Sequence, residues 1–120
     1  MQGDNVLIWG ASGGLGTFAI QFVLNGGGIP IGIVSNEEKA EMVRKMGCER
    51  VIVLPRTPGE ERFLDERGRT KNRQILRLKA QIRKLTGGED PDIVFEHTGR
   101  STFAASVAIA RAGGKVVTCG

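Results

Sequence analysis

The chain has 120 residues, of which 40% are hydrophobic and 25% charged, a composition typical of a single globular domain with a packed core. No apolar run is long enough to cross a bilayer, and the first residues carry no signal-peptide pattern, so a membrane location is not expected. The net charge of +4 is modest, and Cys48 and Cys119 stand far apart without a histidine pair nearby. We therefore expect buried thiols in a reducing cytosol and no metal site within this chain.

A glycine cluster joins the first predicted strand to the first predicted helix. The apolar run Val6–Trp9 precedes the cluster Gly10–Gly16, and a helical pattern containing Ala19, Phe22 and Val23 follows it. A strand that turns sharply into a helix leaves backbone N–H groups free, and these groups together with the helix dipole favour a phosphate. Glycines allow the tight turn, the close approach of a pyrophosphate and the packing of the helix on its strand. The turn therefore predicts a dinucleotide site.

The fingerprint G-x-G-x-x-G of such turns is met in part. Gly13 and Gly16 take its second and third glycine positions, whereas Ala11 takes the first. A plain glycine-rich connection is the alternative interpretation. The residues that we predict to bind the cofactor at this turn are Gly10, Ala11, Ser12, Gly13, Gly14, Leu15 and Gly16.

Strand-like and helix-like runs alternate along the rest of the chain. Further strands are predicted at 29–34, 50–54, 92–96 and 115–119, and further helices at about 36–46, 71–85 and 101–111. The second helix is expected to begin with Ser35 as its N-cap, with Glu38 completing a capping box, and to end at Gly47. Continuous apolar strands separated by helices are typical of a parallel sheet covered on both faces. The predicted fold class is α/β, a Rossmann-type doubly wound parallel sheet with five strands and helices on both faces.

The end of the second strand indicates which dinucleotide is bound. In NAD-binding sheets an acidic residue at this point holds the ribose hydroxyls, whereas a cofactor with a 2′-phosphate needs a hydroxyl or a cation instead. Here the strand ends in Val34 without an acid. Ser35 and Lys39 are therefore predicted to bind the 2′-phosphate of NADPH, with Arg44 as a weaker candidate. The alternative for Lys39 is a solvated lysine opposite the glutamates of its own helix.

The segment 56–84 holds ten of the seventeen lysine and arginine residues. The helix within it is expected to dock on the sheet through Ile75, Leu78, Ile82 and Leu85. Arg73, Arg77 and Lys84 are then expected to face outward, either as a solvated face or as a surface for a partner subunit or a phosphorylated ligand such as coenzyme A. A nucleic-acid surface is not expected, because Phe63 is the only aromatic residue available for stacking.

The only histidine, His97, follows the fourth predicted strand. Residues at the carboxyl ends of parallel strands line the ligand crevice, so His97 is expected beside the nicotinamide. A lone histidine is more often structural than catalytic, and its position by itself assigns it no chemical role.

Several stretches of the chain resemble a known family. The run Gln2–Gly16 and the strand end Val34–Asn36 are similar to the medium-chain dehydrogenase/reductase superfamily, on its quinone-reductase side. The inserted basic segment, the run Leu85–Asp90 and the run Ile93–His97 followed by Gly99–Arg100 resemble the crotonyl-CoA carboxylase/reductase family in particular. The resemblance extends over essentially the whole chain.

This resemblance implies a function for residues 1–120 as the NADP-binding Rossmann domain of a larger enzyme, with the catalytic domain and the last strand of the usual six absent. The enzyme would use NADPH to reduce a 2-enoyl-CoA, and the resulting enolate would capture CO2 to give an ethylmalonyl-CoA-type product. His97 would help to hold CO2 through a water molecule, because a neutral imidazole can orient that water without protonating the enolate. Thr98 departs from the family pattern, in which proline is expected at this position.

The reducing cytosol expected from the two thiols predicts a cytoplasmic location, and the full-length enzyme is expected to form a homo-oligomer. Two alternatives stay open. The first is a plain NADPH-dependent enoyl-CoA or quinone reductase that protonates its enolate, because the glycine turn and Ser35 would serve it equally. The second is a non-catalytic dinucleotide-binding module, which describes the isolated chain if it binds a cofactor without performing chemistry.

Overall fold

The computed structural model describes residues 3–55, 72–96, 106, 109–110 and 114–118. The strands within these ranges are β1 (Asn5–Ile8), β2 (Ile29–Val34), β3 (Arg50–Val53), β4 (Ile93–Glu96) and β5 (Lys115–Thr118). The helices with described bounds are α1 (Gly14–Asn25), α2 (Glu37–Lys45) and α3 (Asn72–Thr86), and Ser106 and Ile109 also have helical backbone. All neighbouring strands are parallel, in the order β3-β2-β1-β4-β5. The order reverses beside β1, as in a doubly wound sheet.

Alternate residues of the central strand pack on opposite faces of the sheet. Val6 and Ile8 lie in the apolar cluster that β1 forms with α1 and α2, whereas Leu7 and Trp9 lie in the cluster that includes α3 and Ile109. Every residue of β1 is buried because both faces are covered, which is why this strand is an unbroken apolar run after its first residue. The predicted fold class, with a parallel sheet between two helical layers, is confirmed.

The first helix buries a narrower stripe than its apolar residues suggest. Ala19 and Val23 are buried against the sheet, as the helical pattern predicts. Phe22 is 59% exposed and lies beside the buried stripe, so its place in the apolar pattern does not make it a core residue. Helical periodicity identifies the buried side, but it does not say how far around the helix that side extends.

The second helix begins one residue later than expected. Its N-cap is Asn36, whose side-chain oxygen accepts a hydrogen bond of 2.8 Å from the backbone N–H of Lys39. The expected N-cap at Ser35 and its capping box are therefore wrong. Serine and asparagine are equally good N-caps, so the sequence pattern does not distinguish two such residues in succession. Gly47 ends the helix as predicted, with a φ of +108°.

The third helix confirms the docking face expected for it. Ile75, Leu78 and Ile82 are buried, and Leu85 packs at the margin of the same cluster. The basic residues expected to face outward, Arg73, Arg77 and Lys84, are all exposed. The earlier part of the basic segment, 56–71, lies outside the described residues, as does most of the helix predicted at 101–111. None of the helices in the described ranges has the length and apolar character needed to cross a membrane.

Cys48 is a buried free thiol packed between α2 and the strands β2 and β3. Its Sγ lies 3.4 Å from the carbonyl oxygen of Arg50, and burial raises the pKa of the thiol. A thiol that is held neutral and out of contact with solvent is a core residue. Cys119 lies outside the described residues, and the reducing cytosol inferred from the two thiols stays a prediction.

Candidate cofactor-binding site

The turn between β1 and α1 lies at the carboxyl edge of the sheet, where the strand order reverses. Gly10 has a φ of +57°, a backbone conformation that favours glycine. The backbone N–H of Ala11 donates to the Ile33 carbonyl oxygen at 3.0 Å, and that of Trp9 donates to the Phe95 carbonyl oxygen at 3.2 Å. The ends of β2 and β4 therefore hold the turn from both sides. Ligands of open α/β sheets bind at this point of the topology.

The amino terminus of α1 is open to an anion. Its N-cap, Gly13, has extended backbone and makes no side-chain cap hydrogen bond, and the first turn of the helix carries no acidic side chain. The first N–H groups of a helix have no partner within the helix, and they sit at the positive end of its dipole. With no side chain capping them, these groups are available to a phosphate.

The space around the glycines distinguishes the glycine that the fold requires from those that it does not require. A Cβ atom added at Gly14 would meet nothing within 4 Å, and one added at Gly13 would meet only the Gly10 carbonyl oxygen, at 3.4 Å. A Cβ atom at Gly16 would lie 2.2 Å from that oxygen and 2.7 Å from the Ala11 Cα, so this glycine is required for α1 to pack on the turn. The fold does not require glycine at positions 13 and 14. The open space beside them fits a pyrophosphate that approaches the backbone closely.

Ala11 occupies the first glycine position of the fingerprint without disturbing the turn. It is fully buried, and its Cβ fits against Gly32 of β2, where an added Cβ would come within 2.9 Å of it. The positive φ of the turn is provided by Gly10 instead. Ser12 is half-buried and Leu15 is exposed, so both lie at the surface of the turn.

Ser35 and Lys39 come together at the end of β2. The Lys39 ammonium donates a hydrogen bond of 3.1 Å to the Ser35 Oγ, and the pair lies at the surface. The glutamate opposite, Glu37, is engaged by Arg44, whose Nη1 lies 2.7 Å from its Oε1 and 3.6 Å from a carboxylate oxygen of Glu41. The hydrogen bond that Arg44 donates to Glu37 raises the pKa of the guanidinium. The structure thus brings the two principal 2′-phosphate candidates together and places the weaker candidate, Arg44, between carboxylates.

A buried polar chain that the sequence pattern did not predict lies on the other side of the turn. The Trp9 indole N–H donates to the Ser106 Oγ at 2.8 Å, and the Ser106 hydroxyl donates to the Glu96 Oε2 at 2.9 Å. All three side chains are almost wholly excluded from solvent. Trp9 and Ser106 are 97 positions apart in the sequence, so no local spacing could have revealed the contact.

His97 lies outside the described residues, and its expected place beside the nicotinamide stays a prediction. Within the ranges that the structure covers, no group of three or more histidine, cysteine, aspartate or glutamate side chains could hold a metal ion.

The carboxyl edge of the sheet offers an uncapped helix terminus, open space beside two glycines and a hydroxyl–ammonium pair. These features suit a phosphorylated dinucleotide.

Comparison with known proteins places this arrangement in context. The sequence model of a family described as zinc-binding dehydrogenase matches residues 14–120. The crotonyl-CoA reductase of Streptomyces collinus is 52% identical over 118 residues, which cover 98% of this chain and 26% of that protein. The crotonyl-CoA carboxylase/reductase of Cereibacter sphaeroides is 37% identical over an alignment of 129 positions including gaps, which covers 98% of this chain and 28% of that protein.

One solved structure is similar to this chain in both sequence and fold. The 2-octenoyl-CoA carboxylase reductase CinF from a Streptomyces species, in complex with NADP and 2-octenoyl-CoA, has 50% sequence identity and a TM-score of 0.84. The match covers 99% of this chain and 26% of that one. The chain therefore spans about a quarter of the length of these relatives.

Proposed function

Because the chain belongs to the zinc-binding dehydrogenase family, we propose that it is the NADPH-binding part of an oxidoreductase of the crotonyl-CoA carboxylase/reductase type. The reaction would be reduction of a 2-enoyl-CoA with capture of CO2, leading to an ethylmalonyl-CoA-type product. The 120 residues would provide the cofactor site, and the remaining part of the enzyme would provide the catalytic domain. By themselves they would bind the dinucleotide without turning over substrate.

The observation that carries this proposal is the contact between the Lys39 ammonium and the Ser35 hydroxyl at the end of β2, the strand that neighbours β1 and its uncapped helix α1. The first turn of α1, from Gly14 onward, would receive the pyrophosphate through its backbone N–H groups, whereas the N–H of Gly13 already donates to the Gly10 carbonyl oxygen at 3.0 Å. Lys39 and Ser35 would receive the 2′-phosphate, since charge-assisted hydrogen bonds to phosphate are the strong ones. The absence of an acid after Val34 removes the residue that would favour an unphosphorylated ribose.

Bound NADPH would supply a hydride to the β-carbon of the enoyl thioester. The task of this chain is to hold the dinucleotide so that its nicotinamide lies at the carboxyl edge near the end of β4. His97, which follows β4 directly, would orient a water molecule towards CO2, as the resemblance implies. Assembly of the full-length enzyme into a homo-oligomer stays a prediction.

A titration of the protein with NADPH and with NADH tests the cofactor assignment. We expect NADPH to bind about tenfold more tightly or better, because only NADPH has a 2′-phosphate for Lys39 and Ser35, and a charge-assisted contact contributes about 1–2 kcal/mol. Equal affinities, or tighter NADH binding, would contradict the assignment of these two residues.

Product analysis with and without bicarbonate separates the carboxylase from a plain enoyl-CoA or quinone reductase. In the full-length enzyme, His97→Asn should retain enoyl-CoA reduction and shift the product from carboxylated to protonated. A loss of ~1.4 kcal/mol in CO2 positioning changes the partition about tenfold. An unchanged product ratio would remove the support that this chain gives to carboxylation, and a proportional loss of both products would make His97 structural.

The exposed basic face of α3, apart from the cofactor site, is a second surface that would bind a phosphorylated ligand. Arg73, Arg77 and Lys84 would contact phosphate groups of coenzyme A, in which case their neutralisation raises the KM for acyl-CoA and leaves the KM for NADPH unchanged. The effect should diminish with added salt, because exposed charges are screened over about 8 Å at physiological ionic strength. Unchanged KM values would identify a solvated face.

A further inference from the structure

Trp9 and Glu96 are neighbours on the face of the sheet that α3 covers. The parallel register pairs Ile8 with Phe95, so the next residue along each strand comes to lie beside the other. Trp9 belongs to the apolar cluster on that face, together with Val94, which has the same orientation in β4 as Glu96. An indole and a carboxylate therefore meet at the carboxyl edge, where a helical residue, Ser106, bridges them.

The two hydrogen bonds through Ser106 run in one direction only, from the Trp9 donor to the Glu96 acceptor. An indole N–H can only donate, so the Ser106 Oγ accepts from Trp9, and its single hydrogen is left for the Glu96 Oε2. The exposed fractions are 2% for Trp9, 0% for Ser106 and 2% for Glu96, so water does not compete for these bonds. A buried polar network with satisfied donors holds one arrangement of the surrounding backbone, because the alternatives leave groups unpaired in a low dielectric.

We propose that Trp9, Ser106 and Glu96 form a relay that positions the glycine turn for the pyrophosphate of the cofactor. The inference rests on the proposed function, since it assumes that a dinucleotide binds at this turn. Trp9 is covalently joined to Gly10, the residue whose φ of +57° starts the turn. Any shift of the indole is passed directly to the backbone that presents the phosphate-binding N–H groups.

The two sides of the turn are held by different means. On the β2 side, the backbone N–H of Ala11 donates to the Ile33 carbonyl oxygen. On the β4 side, the backbone bond from Trp9 to Phe95 is reinforced by the side-chain relay, which also ties the turn to the helical segment containing Ser106. Donors that are held in place before the ligand arrives bind it more tightly than donors that must first be ordered. The three side chains are positioning residues, and none of them needs to contact the cofactor.

Two substitutions distinguish the relay from simple burial. Ser106→Ala removes the hydroxyl that joins Trp9 to Glu96 and changes little else in volume. Glu96→Gln is the matched conservative variant, because a glutamine side-chain oxygen can still accept the bond from Ser106. A relay that works through hydrogen bonding predicts a loss for the first variant and retention for the second.

Calorimetric titration with NADPH and with 2′-AMP tests the inference on the protein. The 2′-AMP probe carries the phosphate that Ser35 and Lys39 would bind but has no pyrophosphate, so it does not depend on the turn. We expect Ser106→Ala to raise the Kd for NADPH roughly five- to tenfold while the Kd for 2′-AMP stays within about twofold of the wild-type value, as the loss of ordered hydrogen bonds predicts. Glu96→Gln should stay within about twofold for both ligands.

Other outcomes overturn the inference in recognisably different ways. An unchanged Kd for NADPH in Ser106→Ala refutes the positioning role, and a parallel loss for both ligands indicates general loosening of the fold instead. If the wild-type protein binds neither ligand, the proposed function fails and this inference fails with it. Should Ser106→Ala not fold, Trp9→Phe is the second variant, because it removes the indole donor together with some packing volume: a loss of NADPH affinity without loss of 2′-AMP affinity supports the relay, and an unchanged NADPH affinity refutes it.

Discussion

The two edges of the parallel sheet use their polar groups in opposite ways. At the amino edge, the backbone N–H of Asn5 donates to the Asp92 Oδ2 at 2.8 Å, and its side-chain amide donates to the Glu89 Oε2 at 3.3 Å. Arg83 makes two hydrogen bonds to Asp90, at 2.9 and 3.2 Å. These contacts hold the connection between α3 and β4 against β1 and against the end of α3, and all of them are made within the chain.

At the carboxyl edge, apart from the buried relay of Trp9, Ser106 and Glu96, the polar groups described above face outward. The amino terminus of α1 has no side-chain cap, and within the described part of the chain the exposed Lys39 ammonium donates to the hydroxyl of Ser35. The difference teaches that polar groups which satisfy one another stabilise the fold, whereas groups left facing solvent at a topological switch are available to a ligand. Substitutions at the amino edge should therefore change stability, and substitutions at the carboxyl edge should change binding. Gly16 is an exception, because it lies at the carboxyl edge but its substitution should change stability.

The largest expected effect is the loss of stability in Gly16→Ala. The new Cβ would lie 2.2 Å from the carbonyl oxygen of Gly10, so α1 would have to move away from the turn. Overpacking against backbone costs about 2–3 kcal/mol or more. Denaturant unfolding should show this loss in Gly16→Ala, whereas Gly14→Ala, whose Cβ meets nothing within 4 Å, should unfold within about 0.5 kcal/mol of the wild type. Similar losses in the two variants would contradict the packing role of Gly16.

The next largest effect is the loss of dinucleotide binding in Gly13→Val. The φ of Gly13 is −78°, so its backbone suits valine, and no left-handed conformation excludes a β-branched residue there. The added side chain would instead fill the open space beside the turn. We expect unfolding within about 1 kcal/mol of the wild type and a Kd for NADPH raised by about 100-fold or more.

Gly13→Ala is the control with a smaller side chain and should lie between the wild type and Gly13→Val. Retained affinity in a folded Gly13→Val protein would mean that the pyrophosphate does not sit on this turn.

A smaller effect is expected for Lys39→Ala, which removes the ammonium from the hydroxyl–ammonium pair. The Kd for NADPH should rise about tenfold, the size of one charge-assisted contact, and the Kd for NADH should not change. Lys45→Ala is the matched control, because it removes the same charge from the last residue of the same helix. If the two variants behave alike, the contribution of Lys39 is a general charge effect.

The smallest effect belongs to the amino edge. The hydrogen bond from Arg83 lowers the pKa of Asp90. A carboxyl group with a lowered pKa in the folded state contributes stability above its unfolded pKa of about 3.9, and this contribution is lost as the pH falls through the folded value. Asp90→Asn should therefore lower the Tm by only ~2 °C at pH 7, since the pair is partly exposed, and the difference should vanish in acid. A constant difference over the whole pH range would show that the charge of Asp90 is not responsible.

Much of the fold was predictable because the strands are apolar and because glycines or helix N-cap residues stand at strand ends such as those of β2. The bounds predicted for β2 agree with the observed Ile29–Val34, since glycines precede this strand and two N-cap residues follow it. The glycine turn and the grouping of Ser35 with Lys39 were also predictable, because each lies within a few residues of a strand end. Such features are local, and local spacing is what a sequence displays directly.

Features that depend on distant contacts were not predictable. Phe22 fits the apolar pattern of α1, but its exposure depends on where the helix axis lies above the sheet. Asn36 and Ser35 are both capable N-caps, and the choice between them depends on where α2 docks. Glu96 by itself suggests a surface charge, and its burial depends on tertiary contacts such as the hydrogen bond from Ser106, ten residues away. These outcomes are set by tertiary packing.

The contact between Ala11 and Gly32 has an evolutionary consequence. The space that an added Cβ at Gly32 would need is occupied by the Ala11 Cβ, at 2.9 Å, with the Cys48 Sγ at 3.3 Å. The methyl group of Ala11 in the turn thus occupies the space that a methyl group on Gly32 of β2 would need. Ala11→Gly by itself leaves a void, and Gly32→Ala by itself creates a collision, whereas the two changes together restore the fit except for the tight approach to Cys48. We expect these two positions to covary among homologous sequences, with alanine at one accompanied by glycine at the other.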